Sequence, residues 1–115
     1  MKPEHIVDCL RSEADDCLRR YVEYFVTKAA EQSRDFNLAA RIYVSLTEEE
    51  KREFQAFLRA VQTDVLGSVF DLLDNQAYPA VQSTDLLLTH GSERLNGDLT
   101  DILYRKHEEE ETNNR

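Results

Sequence analysis

A chain of 115 residues, 41% apolar and 32% charged, has the length of one folded domain and enough apolar side chain for a core without disulfides or metal. Its net charge of −9 disfavours direct binding to nucleic acid or to an anionic membrane surface. No apolar run approaches the roughly 18 residues that cross a bilayer.

Three glycines and two prolines favour long helices over strands and turns. The start, Met1-Lys2-Pro3-Glu4-His5, lacks the basic-then-apolar pattern of a signal peptide, so a cytoplasmic location is expected. Cys9 and Cys17 stand eight residues apart in one helical stretch. That spacing separates them by roughly 12 Å, too far for a disulfide, and free thiols fit a reducing compartment. One globular domain over 1–107 is expected, followed by an acidic, flexible tail over 108–115.

The first helix is expected from Pro3 or Glu4 to about Gln32. Proline suits a first turn, where its missing N–H would be unpaired anyway. Ile6, Leu10, Ala14, Cys17, Leu18, Tyr21, Phe25 and Ala29 recur at spacings of three and four, with Ser12, Asp16, Arg20 and Glu23 opposite. Within Tyr21-Val22-Glu23-Tyr24-Phe25-Val26, five of six residues are large and apolar. At about 100° per residue they cover more than half the helix circumference, whereas a surface helix needs one stripe. Cover from a second direction is implied, by the rest of the domain or by another chain.

Residues 36–46 can be read two ways. Asp35 could cap a short helix through Phe36, Ala39, Ala40 and Tyr43. The alternation of Ile42, Val44 and Leu46 would also suit a strand. The alanines and the helical surroundings favour helix. Thr47-Glu48-Glu49-Glu50 is a capping box, threonine accepting from the Glu50 amide and Glu50 reaching back to Thr47. The helix it opens should run to about Asp74-Asn75, with Phe54, Phe57, Leu58, Val61, Val65, Val69 and Leu72 as the main stripe. Leu66, Phe70 and Leu73 form a second ridge roughly 100° away, and Gly67 would mark a bend or a close helix crossing.

From Gln76 the texture changes. Tyr78-Pro79 favours extended chain. Asp85–His90 reads as a strand, His90-Gly91-Ser92 as a turn, and Glu93-Arg94-Leu95 as a return strand. Asn96-Gly97-Asp98 then opens a last helix with Leu99, Ile102 and Leu103 inward. The fold class is α+β and predominantly α: two long antiparallel helices, a short C-terminal β-hairpin and a short final helix.

Phosphate loops, paired Cys-x-x-Cys, His-Glu-x-x-His and nucleophile elbows are missing from the sequence. His5, Cys9, Ser12 and Asp16 share a helix face and include metal-ligand types. A rigid helix spreads His5 and Asp16 over roughly 16 Å, so only His5 and Cys9 could share an ion. The face reads as solvated, and neither metal nor cofactor is expected. His90, His107 and the pair Asp64 and Asp71 read as surface or structural groups.

Aromatic residues are enriched in interface cores. Tyr21, Tyr24, Phe25, Leu66 and Phe70 are the interface candidates. A domain of this size also needs such residues for its own core, which is the favoured reading for most of the aromatic ones. Tyr24 and Phe70 are foremost for an interface because they lie off the main stripes. The expected function is a small acidic interaction or regulatory module without catalytic activity. A stoichiometric inhibitor of the immunity-protein or antitoxin kind is one version, its protein partner basic; a homodimer is another arrangement. The alternative is a small-ligand protein or enzyme with a pocket of Tyr78, His90 and Asp98 between helices and hairpin.

Overall fold

The computed structural model describes residues 1–27, 34–75 and 86–113, and within them four helices and one two-stranded hairpin. Helix α1 runs Pro3–Thr27, α2 Arg34–Ser45 and α3 Glu48–Leu73; β1 is Thr89–His90, β2 Glu93–Arg94, and α4 is Leu99–Asn113. The class is α+β, predominantly α. Ala29 and Tyr78-Pro79 lie outside the described residues. The chain divides into two compact units, Met1–Ser12 with Gln62–Arg115, and Glu13–Val61.

The first unit has its core where α1, α3 and α4 each contribute one apolar face. Val7, Phe70, Leu99, Ile102 and Leu103 are buried together, with Ile6, Leu66, Leu73 and Leu88 packed on them. Full burial of a side chain like Phe70 stabilises by roughly 1.5–3 kcal/mol. Asp8 pairs with Lys106 at 2.8 Å, and Arg11 pairs with Glu110. The partners advance in step, so the start of α1 and α4 run parallel. Helix α4 continues through the acidic run to Asn113, so the segment expected as a free tail is helical that far.

At Gly67 the Tyr104 side chain of α4 lies against the backbone of α3. A methyl group at Gly67 would meet the Tyr104 hydroxyl at 2.5 Å. Glycine costs about 1 kcal/mol in a helix interior, and here it makes room for an aromatic ring that also reaches Asp64 at 3.4 Å.

The hairpin is shorter than the sequence pattern suggests, and its neighbours explain why. Thr89 pairs with Arg94 and His90 with Glu93, and Gly91 takes the positive φ of 63° that a two-residue turn with glycine first requires. Just before β1 the backbone is claimed by side chains. Asn75 exchanges both hydrogen bonds with Leu86, accepting from its N–H at 2.7 Å and donating to its carbonyl at 3.1 Å. Leu88 N–H donates to Asn96 Oδ1 at 3.0 Å. Amide side chains thus stand where a partner strand would.

In the second unit Leu18, Phe25 and Tyr43 are the buried apolar residues among those described. The Tyr43 ring lies 5.4 Å from Phe25 and 6.1 Å from Phe54, and its hydroxyl accepts from Gln55 Nε2 at 2.7 Å. Asp15 of α1 meets Arg59 of α3 at 3.2 Å. Further along α1, Phe25 reaches Tyr43 and through it Phe54, earlier in α3, so within this unit α1 and α3 run antiparallel. The stretch that could have been strand is helix α2, and its inward residue is Tyr43.

The capping box forms as expected. Thr47 N–H donates to Glu50 Oε1 at 2.8 Å and Glu50 N–H donates to Thr47 Oγ1 at 3.1 Å. Hydrogen bonding from the Thr47 backbone N–H, and after it from the Thr47 hydroxyl, holds the Glu50 carboxyl below the usual carboxylate range.

Candidate protein-binding surface

Helix α3 reverses the assignment that its spacing suggests. The second ridge is the inward one: Phe70 is 0% exposed, and Leu66 and Leu73 pack against the same cluster. The main stripe faces outward over much of its length, for Phe57, Val61, Val65 and Val69 are all exposed. Phe70 therefore belongs to a core, as do Phe25 and the half-buried Leu66, and none of the three offers a surface. Tyr21 and Tyr24 remain partly open, each at 37%. The Tyr21 phenol is pushed above its ordinary pKa, chiefly by its hydrogen bond with the Cys17 thiol.

Sequence reasoning pointed at the wrong faces for most of the open apolar surface. Within Glu13–Val61, α1 exposes Val26, α2 exposes Leu38, Ile42 and Val44, and α3 exposes Phe57 and Val61. Phe57 is the most open of these, at 62%. Glu50, Glu53 and Ala60, which share its side of α3 at spacings of seven, four and three, are exposed as well.

Charge is divided between the units. Glu13–Val61 carries ten acidic and eight basic residues, a net −2. The remainder carries thirteen acidic and six basic residues, a net −7. The apolar surface thus sits in the nearly balanced unit.

The polar residues at the end of α3 serve the fold. Buried Asp74 takes Gly97 N–H at 2.6 Å on one carboxylate oxygen and Thr100 N–H at 3.0 Å on the other. It caps the start of α4 from the residue that follows α3. Buried Asn96 donates to the carbonyls of Leu73 and Leu86 and accepts from Leu88. Asp71 accepts from the Thr100 hydroxyl at 2.6 Å while Asp64 receives Tyr104, so the two carboxylates hold different α4 side chains.

The ligand-pocket candidates do not meet in a described site. His90 is exposed, its Nδ1 3.3 Å from the Met1 amine. Asp98 is exposed, its carbonyl accepting Ile102 N–H. Tyr78 lies outside the described residues. At the start of α1, His5 Nδ1 accepts Lys2 N–H at 3.3 Å, a cap for the first turn, and His107 pairs with Glu111 one turn on. Among the described residues no three His, Cys, Asp or Glu side chains converge as metal ligands would, and no helix is long and apolar enough to cross a membrane. No protein-family model, curated protein or solved structure matches the chain.

Proposed function

We propose that this chain is a protein-binding module without catalytic chemistry, and that it binds through the apolar side chains left open by Glu13–Val61. One observation carries the reading. Among the described residues of that unit three large apolar side chains are buried, Leu18, Phe25 and Tyr43, while eight are exposed. Monomeric proteins rarely leave contiguous apolar patches beyond a few hundred Å² uncovered. A helix as short as α2 is marginal without tertiary cover, and Leu38 and Ile42, one turn apart on it, await such cover.

The net −7 of the other unit raises the rate of encounter with a basic partner. Stoichiometric inhibition of that partner is the form of regulation this arrangement serves best. The free thiols of Cys9 and Cys17 suit a cytoplasmic setting. The test is recovery of a complex on immobilised wild-type chain and on an Ile42→Ser, Phe57→Ser double variant. A stoichiometric complex lost in the variant supports the reading, provided circular dichroism shows both chains equally helical. Equal recovery on both refutes it.

A further inference from the structure

We infer that the outward face of α3 within Glu13–Val61 docks a basic amphipathic helix of a partner protein. The inference rests on the protein-binding reading above and names the face and the chemistry of its occupant.

The face is a single row. Glu50, Glu53, Phe57, Ala60 and Val61 recur at helical spacing, and all are exposed. From Glu50 to Val61 the row is roughly 16 Å long at the rise of an α-helix, which matches about three turns of a partner helix. Phe57 at 62% exposure and Val61 at 42% supply the apolar contact. Glu53 lies one turn before Phe57 and Glu50 about two turns before it, so the acids occupy the first half of the line and the apolar groups the second.

The bases of this stretch are turned elsewhere. Lys51 Nζ lies 5.4 Å from the centroid of Tyr43 and pairs with Glu48. Arg59 pairs with Asp15. Arg52 stands about 140° round the helix from Phe57. The row therefore presents negative charge and apolar surface without a compensating cation on its own side. A helix with leucine-like residues one turn apart, flanked by lysine or arginine, answers both features. A second copy of this chain does not, because the matching row carries no lysine or arginine to pair with Glu50 and Glu53. The contact of one helix face is small, so Phe57 carries a large share of it, as a central aromatic residue does.

The probe is a fluorescent 18-residue peptide of leucine and lysine patterned as an amphipathic helix, with a leucine–glutamate peptide as control. It is titrated against the full-length chain by anisotropy, with amide shifts followed by NMR. The Leu–Lys peptide is expected to bind with shifts centred on Phe57 and Val61. Phe57→Ala should weaken it about tenfold or more. Glu53→Lys should weaken it several-fold and flatten its salt dependence. Phe57 and Glu53 are exposed, so these variants keep the fold, which circular dichroism verifies. The inference is overturned if the Leu–Lys peptide fails to bind, if the Leu–Glu peptide binds as well, or if Phe57→Ala changes nothing. Shifts centred on Ile42 or Val26 would overturn this face and leave the protein-binding reading standing. Self-association of the chain through Phe57 would overturn the choice of partner.

Discussion

Replacing Asn96 with aspartate changes one side-chain nitrogen to oxygen and almost no volume, yet it should be among the most damaging exchanges in the chain. Asn96 is 6% exposed, and its Nδ2 donates to two carbonyls, those of Leu73 and Leu86, while Oδ1 accepts Leu88 N–H. Asn96→Ala removes all three bonds. At about 1 kcal/mol net for each hydrogen bond, with some water reaching the freed groups, the loss should be about 2–3 kcal/mol. Asn96→Asp keeps the bond from Leu88 N–H but sets the other carboxylate oxygen against two carbonyl oxygens, and a buried charge with one donor and two opposed acceptors costs more than an absent side chain. A loss of about 3–5 kcal/mol at neutral pH is expected.

The pH dependence has a definite sign. The introduced acid is easier to protonate in the folded state, because the neutral form can donate to one carbonyl. Its folded pKa is therefore raised above the unfolded value of about 3.9. Its destabilisation is full above the folded pKa and fades as pH falls towards the unfolded one. Urea unfolding followed by circular dichroism at pH 7 and pH 4.5, with hydrogen exchange at the Leu88 amide, measures this. Asp should be worse than Ala at pH 7, and the gap should narrow at pH 4.5. An Asp variant within about 0.5 kcal/mol of wild type at pH 7 would refute the network's role.

The inversion of α3 predicts that Phe70→Ala costs about 3–5 kcal/mol while the adjacent Val69→Ala stays within about 0.5 kcal/mol, both read by urea unfolding. Gly67→Ala removes a helix-propensity penalty of about 1 kcal/mol but displaces Tyr104, so the gain should appear only in a Tyr104→Ala background. A double-mutant cycle that adds within error would contradict the close approach. Thr47→Ala should lower stability by about 1 kcal/mol and raise the Glu50 titration, followed by NMR, only part of the way towards the ordinary carboxylate range, because the backbone N–H of residue 47 still donates to the carboxylate. With the folded pKa of Glu50 depressed, its stabilisation is present above the unfolded value and is lost as pH falls through the folded one. The Thr47→Ala variant should show a smaller acid-side loss.

Local chemistry was legible in the sequence where a few neighbouring residues decide the outcome. Thr47 and Glu50 close their box because the partners are three residues apart, and Leu99, Ile102 and Leu103 turn inward because α4 has one apolar stripe. Helix α3 has apolar residues around more than half its surface, and periodicity then ranks faces by count rather than by what packs against them. The stripe richest in valine won the count, while Leu66, Phe70 and Leu73 won the core. One signal pointed the right way: Gly67 lies only about 60° from Phe70 on the helix wheel, and a mid-helix glycine is worth its cost where another element comes close. The Asn96 network left no sequence trace, since it joins residues 8 to 23 positions apart through side-chain contacts that exist only once α3 and the hairpin meet.

The central claim is that α3 turns one apolar face into a core and leaves another for a partner. Hydroxyl-radical footprinting read by mass spectrometry tests it most directly, on the purified chain and on the complex recovered from its native cells. Phe57 should be modified readily in the purified chain and shielded in the complex, with Phe70 shielded in both. Phe57 shielded in the purified chain, or modified equally in both samples, would contradict the account.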